Sequence, residues 1–146
     1  MCIRDSWKDI WLNEGFATYL SGMVIEELDG QEEFNTWKEQ RVNSITAAPN
    51  GATFLTDQDT TNVSRIFNGR LTYNKSSMIL HMLRKKLGDD DFYQGVKNYL
   101  SHPDLAFNYA KTEDFIPIME AQSGEDLTEF FSDWLYNQGY LSLIHI

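Results

Sequence analysis

The sequence is poor in the residues that staple, break or loosen a chain. It has one cysteine, three prolines and nine glycines in 146 residues, which excludes a disulfide framework and the collagen-like, low-complexity and linker-dominated classes. Cations are scarce too. Twelve Lys and Arg stand against 22 Asp and Glu, a net charge of −10, which disfavours nucleic acid and anionic membrane surfaces as partners. No apolar run nears the roughly eighteen residues of a membrane span, so no span is expected. Strand-like alternation and internal repeats are missing as well. What is present is 42% hydrophobic and 14% aromatic residues, enough for one domain with a buried core of its own.

The two ends differ in character from what they flank. Residues 1–5 can be encoded as ATG TGT ATA AGA GAC, followed by AG of a serine codon. The reverse complement of that string, CTG TCT CTT ATA CAC AT, reads in frame as residues 141–145 and the start of an Ile codon. Two unrelated protein ends have no reason to be reverse complements, so residues 1–6 and 141–146 are read as a translated sequencing adapter and excluded from fold reasoning. That removes Cys2, the only cysteine, and with it thiol chemistry; it also removes His145 and leaves His81 and His102. Residues 7–140 remain.

Across 7–140 the pattern predicts an all-α segment. Phe16, Tyr19, Leu20, Met23, Val24 and Leu28 recur at three and four over 13–28, the period of one buried helical face, and Asp29-Gly30 supplies a stop. A second helix over about 31–43 carries Phe34, Trp37 and Arg41 on one side. Residues 47–68 lack sustained periodicity and read as a long loop with one short turn. Helices over 76–87 and from Asp89 form a hairpin about Gly88, and Thr112 opens a further helix in which Pro117 is expected to introduce a kink or a later start. A final helix is expected to open at Ser123, with Asp126 completing a capping box.

The chemistry has to come from residues this architecture does not require. Glu14, in the first helical turn beside Gly15, reads by itself as a solvated partner of the helix dipole. Tyr73, at a loop-to-helix junction, reads by itself as a packing residue. The run Trp7-Lys8-Asp9-Ile10-Trp11-Leu12-Asn13-Glu14-Gly15-Phe16-Ala17-Thr18-Tyr19-Leu20, however, closely resembles the metal-binding segment of the aminopeptidase N, or membrane alanyl aminopeptidase, family of zinc metallopeptidases. Tyr73-Asn74-Lys75-Ser76-Ser77, leading into Leu80-His81-Met82-Leu83, is similar to that family's Tyr-x-Lys-Gly-Ala run. The resemblance continues through Leu87-Gly88-Asp89, Phe92, Tyr99-Leu100, Thr112-Glu113-Asp114-Phe115 and residues 134–140.

This resemblance implies that residues 7–140 are the C-terminal helical part of a thermolysin-like (gluzincin) catalytic domain. It also implies a Zn2+ ion with Glu14 as its third ligand and Tyr73 as hydrogen-bond donor to the oxyanion of a tetrahedral intermediate. A carboxylate beside two imidazoles leaves a zinc position open for water, and a phenol with a pKa of about 10 is neutral at pH 7 and able to donate. The implied reaction is hydrolysis of the first peptide bond of peptides with a free N-terminus. Ser76-Ser77 departs from the family's usual Gly-Ala, keeping small volume but bearing on geometry at the substrate side.

The sequence contains no H-E-x-x-H, which the resemblance places upstream of residue 7 together with the general base, both imidazole ligands and the G-x-M-E-N segment. The chain is therefore expected to be inactive alone. His81, between Met78 and Met82, reads as a core or hydrogen-bonded histidine; His102 lies in a turn before Pro103; Asp89, Asp90 and Asp91 are explained by a helix N-terminus. The competing reading is an acidic all-helical binding module, or a relative of the family that has lost catalysis.

Overall fold

A computed structural model describes residues 6–139, and among these there is no β-strand. Of the residues read as adapter-derived only Ser6 is described; the others, and Tyr140, lie outside the described residues. The chain begins with a 3-10 turn over Trp7–Asp9, in which the Ser6 hydroxyl accepts from the Lys8 N–H at 3.1 Å. This turn starts the first helix, α1 (Ile10–Leu28), three residues ahead of the expected position 13.

The buried face of α1 differs from the expected one. Trp11, Leu12, Gly15, Tyr19 and Gly22 point inward, whereas Leu20, Val24 and Leu28 are 51%, 55% and 77% exposed. Phe16 and Met23 pack at the margin. Glycine explains the rotation. A Cβ on Gly22 would stand 2.8 Å from the Trp37 ring, so the side without side chains admits the neighbouring helix most closely, which a hydrophobicity period does not register.

Gly30, at φ +93°, leads into α2 (Gln31–Thr46), with Glu32 and Glu33 in its first turn and Phe34, Trp37 and Ile45 buried. The Arg41 guanidinium lies 4.1 Å from the Trp37 ring centre, on the side expected. The segment after α2 contains a 3-10 turn (Asp59–Thr61) and a single helical turn, α3 (Val63–Ile66). Leu55 and Ile66 close over Ile10 as a small second core.

A π-helical turn, Gly69–Lys75, runs without interruption into α4 (Ser76–Leu87). Tyr73 thus lies within helical structure, not at the loop junction expected for it. Gly88 at φ +83° separates α4 from α5 (Asp89–Ser101), as the pattern indicated. The sixth helix, α6 (Thr112–Ser123), starts at Thr112 despite Pro117 within it.

The expected final helix is corrected. Ser123 is the last residue of α6, its hydroxyl donating to the Met119 carbonyl at 2.8 Å, and Gly124 at φ +73° ends that helix. The next helix, α7 (Thr128–Phe131), opens after Leu127, with Asp126 accepting from the Thr128 N–H at 2.8 Å, and passes into a π-helical turn, Ser132–Tyr136.

The core is aromatic. Trp11, Phe16, Tyr99 and Phe131 surround Phe115 at centroid distances of 5.1 to 6.3 Å, all edge to face. Around it α1 packs on α2 and α4, and α5 on α6. Among the described residues no helix is long and apolar enough to cross a membrane.

Candidate metal and oxyanion site

The start of α1 is fixed by a buried carboxylate. Asp9 Oδ1 accepts from the Thr112 N–H at 2.9 Å and from its hydroxyl at 2.7 Å, and the Trp11 indole N–H donates to Thr112 Oγ1 at 2.8 Å. Asp9 and Thr112 are both buried, so the carboxylate sits at the positive end of α6 and ties it to α1. One turn further along α1 stands Glu14. It is half-buried, and Asn13 Nδ2 donates to its Oε1 at 3.3 Å. No Lys or Arg pairs with it among the described residues.

The π-helical turn brings Tyr73 to this carboxylate. Gly15 is the point of approach: a Cβ there would be 2.7 Å from the Cβ of Ser76. Burial first, and then the charge and hydrogen bonding of the Glu14 carboxylate, push the Tyr73 phenol above its usual 10.0. The phenol is therefore neutral at pH 7 and keeps its proton. Glu14 and Tyr73, named separately from the sequence, occupy one site.

Two cations given no role of their own in the sequence reading hold the turn in place. The Arg70 guanidinium donates to the carbonyls of Ala48 at 2.8 Å and Asn50 at 2.6 Å, and Asn74 Nδ2 donates to Ser44 Oγ at 2.9 Å. Lys75 is buried, its ammonium donating to the Asn137 carbonyl at 3.3 Å. Burial, reinforced by Arg70, lowers the Lys75 pKa to about 8. These contacts bind the end of α2 and the C-terminal segment to the turn carrying Tyr73. A lysine within an otherwise small, buried stretch was the available signal.

The remaining titratable residues serve the scaffold. His81 Nδ1 lies 3.1 Å from the Tyr19 hydroxyl, and burial, with help from Lys38, Lys85 and Arg84, lowers its pKa to about 4. The Arg84 guanidinium grips Asp89 through two bonds of 2.8 and 2.9 Å and Glu26 through one of 2.7 Å. Asp89 is thereby consumed by an ion pair, and Asp91 accepts from Gln122 at 3.0 Å. His102 accepts only a long bond from the Asp104 N–H, at 3.4 Å. Among the described residues no three His, Cys, Asp or Glu gather closely enough to hold a metal ion. Glu14 is a carboxylate without a Lys or Arg partner among the described residues, met by the Asn13 amide and the Tyr73 phenol, and its chemistry is that of one ligand in a larger zinc set.

Comparison with known proteins places these features in context. Residues 2–134 match the model of the Peptidase family M1 domain. The probable aminopeptidase 2 of Sulfurisphaera tokodaii is 33% identical over 145 residues, covering 92% of this chain and 17% of that protein. The leucyl aminopeptidase of Saccharolobus solfataricus is 28% identical over 141 residues, covering 92% of this chain and 17% of that protein. A crystal structure of an M1 zinc metallopeptidase from Deinococcus radiodurans superposes with a TM-score of 0.78 at 22% identity, over 94% of this chain and 29% of the other, and shows the same fold. The chain spans about one sixth of the curated relatives, 17% and 15% in two of them.

Proposed function

The chain belongs to peptidase family M1, and from that membership and the meeting of Glu14 with Tyr73 we propose that it is part of a zinc-dependent aminopeptidase. Its substrates are peptides with a free N-terminus, and the reaction is hydrolysis of their first peptide bond. The observation that carries this reading is the pairing itself. A carboxylate without a cationic partner lies beside a neutral phenol, on two elements that have no need of each other's polar groups.

Glu14 would hold the zinc ion together with two imidazoles from an H-E-x-x-H segment that this sequence does not contain. The bound ion would polarise the scissile carbonyl and activate water. The work of Tyr73 is separate: its hydroxyl, neutral at pH 7 as an ordinary phenol, donates a hydrogen bond to the carbonyl oxygen as negative charge develops there. Asp9 and Thr112 hold α1 so that Glu14 stays at fixed depth, while Arg70 and Lys75 hold the turn of Tyr73.

The test is metal content of the full-length protein carrying Glu14→Gln, since a neutral amide is a poor zinc ligand. Zinc and activity are expected to fall together. Full zinc with normal turnover would return Glu14 to a solvated helix residue.

A further inference from the structure

Tyr73 is carried by a π-helical turn, a form that is rare, short and strained by the extra residue it accommodates. In this turn the Ser76 N–H bonds the carbonyls of Leu71 and Tyr73. Two hydroxyls add to that. The fully buried Ser76 hydroxyl donates to the Leu71 carbonyl at 3.2 Å, and the fully buried Ser77 hydroxyl donates to the Asn74 carbonyl at 2.8 Å. The carbonyls on either side of Tyr73, at 71 and 74, are thus each held by a serine from the first turn of α4. At the other end the Asn68 side chain accepts from the Leu71 N–H at 3.0 Å.

The competing arrangement for the same residues is an ordinary α-turn. A shift of one residue in register rotates a side chain by about 100° around the axis, which would carry the Tyr73 hydroxyl away from Glu14. Ser76 also forms the contact with Gly15, 2.7 Å from the Cβ position of that glycine. It therefore touches both carriers of the site: the neighbour of Glu14 and the turn of Tyr73.

We propose that Ser76 and Ser77 are positioning residues whose hydroxyls lock the turn Gly69–Lys75 in the register that sets Tyr73 against Glu14. The proposal rests on the reading of that pair given above, and its test separates the two. In the full-length protein, Ser76→Ala with Ser77→Ala is expected to speed amide hydrogen exchange across residues 69–79 by about tenfold or more, each buried hydroxyl bond contributing a few-fold to severalfold. Ser101→Ala is the control, because that exposed hydroxyl makes the same kind of bond, to the Lys97 carbonyl at 2.8 Å, on α5; it should leave residues 69–79 unchanged. Unchanged exchange in the double variant overturns the proposal.

In the full-length protein the double variant should lower kcat on an aminoacyl anilide about tenfold with KM and zinc content unchanged, and should lower it no further when Tyr73→Phe is already present. Additive losses would show that the serines do not act through Tyr73 and would likewise overturn it. If Tyr73→Phe alone leaves kcat intact, the oxyanion reading fails by itself, and the exchange measurement still decides whether the lock exists. Should the double variant fail to fold, each single substitution is read in the same two assays, with a correspondingly smaller effect.

Discussion

Gly15 and Ser76 meet at a spacing no side chain on the glycine could share: a Cβ there would lie 2.7 Å from the Cβ of Ser76 and 3.3 Å from its carbonyl carbon. Both neighbours belong to a rigid helix start, so neither can give way. The closeness of α1 and α4 at this point is what lets Glu14 and Tyr73 share a site.

Gly15→Ala and Gly22→Ala should each destabilise the chain by about 1–3 kcal/mol through overpacking, even though alanine favours a helix interior by about 1 kcal/mol over glycine. Gly95→Ala is the contrast. The atoms facing its Cβ are the sulfur and methyl of Met119, at 2.8 and 2.9 Å, the far end of a flexible side chain that can move aside. That variant should be near neutral or slightly more stable. Urea unfolding of the three variants checks it; a neutral Gly22→Ala would mean that Trp37 yields more easily than a buried indole should.

Stability should fall as pH drops through the window between 6.5 and about 4, because His81 titrates there. The unfolded chain takes up a proton on His81 below its ordinary value of 6.5, whereas burial holds the folded-state value at about 4. Between those values unfolding binds a proton, so the contribution of neutral His81 is complete above 6.5 and lost on acidification, by on the order of 2–3 kcal/mol. Asp89, held below its usual range by Arg84, loses its contribution at lower pH. The comparison to make is wild type against His81→Asn between pH 4 and 7.5. Parallel curves would show that His81 titrates normally in the folded chain.

What could be read from residue types was read, and what depends on backbone partners was not. The helices at 76–87 and from Asp89 followed from periodicity and from Gly88, because a glycine at φ +83° is a local instruction. Glu14 and Tyr73 came from a resemblance of motifs; composition and spacing alone leave both as ordinary surface or packing residues. Lys75 was quoted only as part of a motif and Arg70 not at all, because they bond carbonyls of Asn137, Ala48 and Asn50, and a carbonyl has no residue type to recognise. The π-helical turn escaped for a related reason: one extra residue in a turn leaves the apolar period of α4 intact. Ser123 and Asp126 offered two capping choices within one turn, and the left-handed Gly124 between them settled which helix each belongs to.

Tyr73→Phe in the full-length protein should keep zinc and thermal midpoint and lose kcat, because the deleted hydroxyl acts on charge present only in the transition state. Loss of one oxyanion donor is worth a hundredfold to a thousandfold, about 2.7–4 kcal/mol. Steady-state kinetics on an aminoacyl anilide, with zinc content measured alongside, decides the matter, and the mechanism requires KM to change less than kcat. A kcat within about threefold of wild type, under 1 kcal/mol, would make Tyr73 a packing residue of the π-helical turn and would move the search for the donor to the part of the protein that carries the imidazole ligands.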